Sequence, residues 1–128
     1  MNMDSLLAVP YDEMVADLYR SEIELNRGLQ HAIQTKSELA EAEIRSRLSI
    51  VSYLAGNHEK SLMHGISAIS IFEAKGLVSK AGGQYCAIGY QIKRRDLSKA
   101  NTYMLKGLQL LEKVGDTAGL TAAYNNYG

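Results

Sequence analysis

Apolar residues recur along the chain at intervals of three and four, the spacing that places them on one face of an α-helix. The clearest stripe consists of Val78, Ala81, Tyr85, Ile88 and Ile92. The pattern predicts helices at about residues 11–35, 38–55, 58–75, 77–93, 97–114 and 117–128. We therefore expect an all-α fold, with a flexible N-terminus at residues 1–10 and a single helical domain at residues 11–128.

The predicted helix ends carry residues that start or stop helices. Pro10 suits a first helical position, and Asp12 and Glu13 would follow in the first turn, where the helix dipole favours negative charge. Thr35 and Glu38 have the spacing of a capping box. Three further capping residues and three helix-stopping glycines are expected: Asn57, Asp96 and Asp116, then Gly56, Gly76 and Gly115. The links between helices are short, which predicts antiparallel helical hairpins.

The chain also repeats itself at an offset of 39 residues, seen when residues 55–76 are aligned with residues 94–115. The matched pairs are Asn57 with Asp96, Lys60 with Lys99, Ser61 with Ala100, Ala68 with Gly107, Ile69 with Leu108, Glu73 with Glu112 and Gly76 with Gly115. A further step places Tyr85 on Tyr124 and Gly89 on Gly128. The first long helix shares "GLQ" with residues 107–109 and so occupies the second-helix position of a preceding unit.

These residues resemble the tetratricopeptide repeat (TPR), a helix-turn-helix unit of about 34 residues. Small residues seven apart on the second helix carry the resemblance, Ser61 with Ala68 and Ala100 with Gly107. Tyr85, Ile88, Gly89 and Ile92 match the pattern of the family's first helix. The chain departs from the family in having Glu73 and Glu112 at the closing proline and a period longer by five residues.

The resemblance implies a right-handed superhelix of stacked hairpins, an α-solenoid. The long period and the stretch "EKVGDTAGLTAAYNNYG" resemble TPR modules that precede a diguanylate cyclase, histidine kinase or DNA-binding domain in bacterial signalling proteins. The module is then non-catalytic, binds a protein or peptide partner, and serves as the sensory or regulatory part of a longer protein. We expect the chain to be a fragment that continues beyond residue 128.

Several glycines, among them Gly82, Gly83, Gly89 and Gly107, fall inside predicted helices, where each costs about 1 kcal/mol relative to alanine. Close approach of two helix backbones would compensate for this cost. Local flexibility is the alternative for the adjacent Gly82 and Gly83.

Charge and cysteine content exclude several classes of function. The 14 basic and 14 acidic residues give no net field for nucleic acid or an anionic membrane, and the acidic N-terminal region and the basic "KRRD" at 93–96 are expected to be solvated faces. The single Cys86 excludes an internal disulfide and fits a reducing compartment. With no membrane span or secretory signal predicted, we expect a cytoplasmic protein.

No residue pattern indicates catalysis, a cofactor or a metal. His58 and His64 are six residues apart, which does not stack two ligands on one helical face. The glycines of "AGGQYCAIG" lack the strand that precedes a phosphate-binding turn, and the serines belong to no catalytic motif.

The resemblance implies a concave groove lined by the first helix of each unit. Counting one residue past each matched position gives the candidate groove residues Arg47, Val51, Leu54, Cys86, Tyr90, Lys93 and Asn125. Lys93 and Arg47 would take a carboxylate, Asn125 would bond to a peptide backbone, and Tyr90 would give an apolar wall. The alternative is that these positions are solvated and hold no ligand.

Two other functions remain open. A stripe on the last helix, made of Leu120, Ala123, Tyr124 and Tyr127, would mediate self-association as a homodimer if it is left uncovered. The chain would otherwise be the regulatory fragment of a cyclase or kinase whose catalytic domain follows residue 128.

Overall fold

The structure, a computed structural model, describes residues 2–127, with the backbone alone for residues 126 and 127. In this range the chain forms eight helices and no strand. They are α1 (Met3–Leu7), α2 (Tyr11–Ala16), α3 (Leu18–Gln34), α4 (Glu38–Leu54), α5 (His58–Ala74), α6 (Val78–Ile92), α7 (Leu97–Lys113) and α8 (Thr117–Tyr127). The all-α prediction is thus confirmed for the described residues. Among them, no helix is both long and apolar enough to cross a bilayer.

The helices group into two compact units, Met1–Ile71 and Phe72–Gly128, where we expected one domain. Helix α5 begins in the first unit and ends in the second. The core of the first unit, which we call the first core, consists of Met14, Leu25, Leu29, Ala32, Ile44, Leu48 and Val51. A smaller cluster in the second unit, the second core, consists of Cys86, Met104, Leu111 and Ala123.

The largest differences from the predicted elements lie before Arg20. Residues 3–7, expected to be flexible, form α1, and its apolar side chains pack against the first core. The long helix predicted from residue 11 is interrupted at Asp17, whose backbone (φ −138°, ψ 86°) is not helical. The Asp17 carboxylate accepts a hydrogen bond from the Arg20 backbone N–H at 3.0 Å and so begins α3 as a new helix.

The three predicted capping residues and the three predicted helix-stopping glycines are all found at helix ends. Asn57, Asp96 and Asp116 accept hydrogen bonds from backbone N–H groups three residues later, at 3.1, 3.0 and 2.8 Å. Gly56, Gly76 and Gly115 adopt the left-handed backbone, with φ of 86°, 70° and 68°. This conformation ends a helix and is strained for residues with a Cβ.

The capping box predicted at Thr35 and Glu38 is wrong. The N-cap residue of α4 is Ser37, and its side chain makes no capping hydrogen bond. Thr35 instead donates its hydroxyl to the His31 carbonyl at 2.9 Å, at the end of α3. Lys36 follows with a left-handed φ of 55°. Thr35 therefore belongs to the end of α3 and not to the start of α4.

Helices α6 and α7 approach each other closely through their glycines. A Cβ added to Gly107 would lie 2.5 Å from Cys86 Sγ and 2.6 Å from the Gly82 carbonyl oxygen. A Cβ on Gly89 would lie 3.0 Å from the Ala100 carbonyl oxygen. The backbones are thus in contact, as the interior glycines predicted. Gly83 differs, because nothing lies within 4 Å of its would-be Cβ.

The second helix of each hairpin, α3, α5 or α7, carries a small residue four positions after its N-cap. Ser61 on α5 donates its hydroxyl to the Ser49 carbonyl of α4 at 2.7 Å, and Ser49 donates to the Ser61 carbonyl at 2.8 Å. Ser21 on α3 donates to the Met14 carbonyl of α2 at 2.6 Å. Ala100 is the corresponding residue of α7 in the 39-residue repeat and contacts Gly89. A small residue at this position lets each second helix meet the preceding helix closely.

We predict opposite effects for alanine at two glycines of this hairpin. Gly107→Ala places a methyl group against the Gly82 backbone and should lower the free energy of unfolding by about 1 to 3 kcal/mol. Gly83→Ala adds a methyl group to open space on a helix and should raise the free energy of unfolding by about 0.5 to 1 kcal/mol. Urea unfolding followed by circular dichroism measures both. Equal shifts in the same direction would contradict the packing argument.

Candidate functional site

The three groove residues predicted in the first unit, Arg47, Val51 and Leu54, all lie on α4 but in different environments. Val51 is fully buried in the first core. Arg47 is half-buried, and Leu54 is 46% exposed. Only Arg47 and Leu54 can reach a ligand, so the prediction that Val51 lines an open groove is wrong.

The Arg47 guanidinium binds the N-terminal segment of its own chain. Nη2 donates to the Leu7 carbonyl at 2.6 Å, and Nη1 donates to the Val9 carbonyl at 2.8 Å. Carbonyls at the end of a helix lack an intrahelical donor, and Pro10 has no N–H to offer. Arg47 therefore supplies the donors that the chain lacks between α1 and α2. We expected Arg47 to take a carboxylate of a ligand, whereas in the structure it binds backbone carbonyls of its own chain.

In the second unit, Cys86 is buried and does not line a surface. It belongs to the second core and is 5% exposed. Burial raises the pKa of its thiol to about 11, so the thiol stays protonated near neutral pH. The prediction of Cys86 as a groove residue is wrong for the same reason as for Val51. One residue along a helix rotates a side chain by about 100°, so an error of one position exchanges a surface residue for a core residue.

Tyr90 and Lys93 form an accessible pair at the C-terminal end of α6. Tyr90 is 38% exposed, and the Lys93 ammonium lies 4.5 Å from the centroid of its ring. This is a cation–π contact, which holds the amine over the aromatic face. An apolar ligand group can pack on the remaining ring surface while the ammonium attracts a carboxylate. Asn125 is exposed on α8, and its amide offers both donors and an acceptor.

The stripe predicted for self-association is only partly accessible. Ala123 is 6% exposed within the second core, and Leu120 is half-buried against it. Tyr124 is 58% exposed. The side chain of Tyr127 lies outside the described residues. The helix therefore already uses half of the named stripe for packing within the second unit.

A polar cluster around His64 in the first unit was not predicted. His64 is 4% exposed, and the Arg45 Nη1 lies 3.2 Å from its Nδ1. Arginine can only donate, so Nδ1 accepts and the imidazole is neutral. Arg45 also pairs with Glu41 at 2.9 Å. The spacing of Glu41 and Arg45 was visible in the sequence, but their proximity to His64 depends on the α4–α5 hairpin.

A small cavity of about 120 Å³ lies within the second unit. Its lining consists of Glu73, Gly76, Val78, Ala81 and Leu110. Tyr85 donates its hydroxyl to Glu73 at 3.2 Å, and burial together with the Glu73 carboxylate raises the pKa of Tyr85. The cavity is smaller than the roughly 300 Å³ of a typical small-molecule site. Within the described residues, no three His, Cys, Asp or Glu side chains are grouped to hold a metal ion.

We predict that His64 makes stability fall in acid. Burial, and secondarily the positive charges of Arg45 and Lys60, lower its pKa from 6.5 to about 4. Between these two pKa values, His64 is protonated in the unfolded chain but neutral in the folded chain. The stability present above pH 6.5 is therefore lost as the pH falls towards 4. The loss should be about 1 to 3 kcal/mol.

Chemical denaturation between pH 4 and pH 7 measures this loss, because that range spans the folded and unfolded pKa values. His64→Gln should flatten the dependence, whereas His31→Gln, a histidine outside the cluster, should leave it unchanged. If the free energy of unfolding depends on pH in the same way in both variants, His64 is not the cause of the loss of stability in acid.

The comparisons with known proteins name no relative. No protein-family model, no curated protein and no solved structure matches this chain.

Proposed function

We propose that the chain is a non-catalytic TPR-type module that binds a protein or peptide partner. Its hairpins would stack as a superhelix, with α4, α6 and α8 as the first helices that line the concave face. By its resemblance to long-period repeats, it would serve as the sensory or regulatory part of a bacterial signalling protein with an output domain elsewhere in the parent.

The repeated local geometry of the hairpins is the main support for this proposal. The three second helices begin in the same way, since Asp17, Asn57 and Asp96 each accept a hydrogen bond from the backbone N–H three residues later. They also end in the same way, at left-handed residues Lys36, Gly76 and Gly115. Repetition of one unit is the organisation that solenoid proteins use to build extended binding surfaces.

The accessible pair on α6 supports peptide binding as the activity. Tyr90 offers an exposed aromatic face, and Lys93 carries a positive charge 4.5 Å from the ring centroid. Aromatic and cationic side chains next to each other suit a peptide with an apolar residue beside an acidic one. Asn125, exposed on α8 of the same unit, offers a further polar contact for such a peptide.

We predict that peptides selected against this chain depend on the α6 pair. A display library should yield acidic-apolar peptides whose affinity falls about tenfold on Tyr90→Ala or Lys93→Ala, corresponding to about 1.4 kcal/mol each. Calorimetry measures the affinities.

Leu105→Ala and Lys106→Ala are the matched controls, because they remove an apolar and a basic side chain from the exposed surface of α7. If the affinity of the selected peptides is unchanged by the α6 substitutions, or falls equally on the α7 substitutions, this assignment of the surface is contradicted.

Self-association is a second candidate, which the 58% exposure of Tyr124 on α8 favours. If Tyr124 forms the centre of a dimer contact, sedimentation velocity should show a dimer that grows with concentration. Tyr124→Ser should then abolish it, because the ring would no longer be buried on association. A monomer at all concentrations would remove this candidate.

A further inference from the structure

The N-terminal segment of residues 2–9, which we call the strap, packs across the surface that α3 and α4 form beside the predicted groove residue Arg47. Its four apolar side chains, Met3, Leu6, Leu7 and Val9, pack against the first core, which contains the predicted groove residue Val51. Its carbonyls at Leu7 and Val9 each accept a hydrogen bond from the predicted groove residue Arg47, whose Nη1 also donates to Met14 Sδ at 3.7 Å. The strap thus combines apolar packing on the first core with two backbone carbonyls bound by Arg47.

The strap is held weakly compared with the helices beneath it. Helix α1 has five residues, none of them buried, and a helix of this length is marginal without tertiary contacts. One of its end bonds, from the Leu6 N–H to the Asn2 carbonyl, is long at 3.3 Å. By contrast, α4 has 17 residues and six buried side chains. Segments with few buried contacts open locally at low free-energy cost, so the strap can open while α3 and α4 stay folded.

Pro10 separates the strap from the rest of the first unit. It is the N-cap residue of α2, with φ −61° and ψ 149°, and it has no N–H that could continue α1. Met14, on α2, is 3% exposed in the first core and anchors the chain just after the break. Opening of the strap therefore does not require α2 to leave the core.

We propose that the strap is a displaceable internal ligand and that the α4 surface beneath it binds a partner segment of the same chemistry. The partner would be a short helical segment with apolar residues at positions i, i+3 and i+4, as in Met3, Leu6 and Leu7. The carbonyls at its C-terminal end would accept the two Arg47 hydrogen bonds. This mode is the docking of an amphipathic helix in a groove. The inference rests on the proposed function for its biological sense, but it concerns the first unit and different side chains.

An internal ligand weakens the binding of an external one. The apparent affinity falls in proportion to the fraction of molecules whose strap is open, so a strap closed 99% of the time lowers it about a hundredfold. Substitutions that weaken the strap should therefore strengthen binding, the reverse of what loss of a supporting element would do.

The experiment uses the full chain and a fluorescent synthetic peptide with the sequence of residues 2–10, NMDSLLAVP. A chain carrying Met3→Ser and Leu6→Ser should bind the peptide at least about tenfold more tightly than the wild type, measured by anisotropy. Leu105→Ser, at an exposed site on α7, is the control and should change nothing. Adding Arg47→Gln to the weakened chain should reverse the gain by about tenfold, because the peptide loses both donors.

Hydrogen exchange on the wild type tests the strap without any substitution. The Leu6 and Ala8 amides should exchange at least about tenfold faster than those of the middle of α4, because they open locally. Equal protection, or peptide binding that the weakened strap leaves unchanged, would overturn the proposal. A dimer formed through exchanged straps would also overturn it, because the occupant would then be a second copy. Peptide binding that survives Tyr90→Ala would separate this site from the α6 pair.

Discussion

Contact between the backbones of paired helices is the constraint on which the hairpins depend. In the second unit, the space for a Cβ at Gly107 is already taken by Cys86 and the Gly82 carbonyl. A larger side chain would force the helices apart and remove Met104 and Leu111 from their packing with Cys86. The helix-propensity cost of the glycines is thus offset by burial of the apolar faces on both sides of the crossing.

Features that depend on neighbouring residues were predictable from the sequence. The caps at Asn57 and Asp96 and the left-handed glycines involve atoms a few residues apart, and so their spacing is visible directly. The capping box predicted at Thr35 was wrong because Lys36, and not a glycine, adopts the left-handed conformation that ends α3. The interruption at Asp17 was not predicted, because the apolar spacing continues across it and only the backbone conformation shows the break.

Features that depend on distant residues were not predictable. Arg47 is separated by 40 and 38 residues from the carbonyls that it binds, and Arg45 is 19 residues from His64. No local pattern links such positions. The groove prediction could not fix the rotation of each helix, and therefore it included the buried Val51 and Cys86 together with the accessible Tyr90 and Lys93.

The reciprocal bonds between Ser49 and Ser61 also fix the register of one helix against the other. Both residues are buried, each hydroxyl donates to the backbone carbonyl of the other residue, and the two hydroxyl oxygens lie 3.3 Å apart. Sliding α5 along α4 would separate each hydroxyl from its carbonyl, and a buried hydroxyl left without a partner costs about 1 to 3 kcal/mol. Leucines and isoleucines elsewhere along the same helices would tolerate such a slip far better. In this hairpin, two serines therefore give the helix pair a single alignment that its apolar contacts alone would not define.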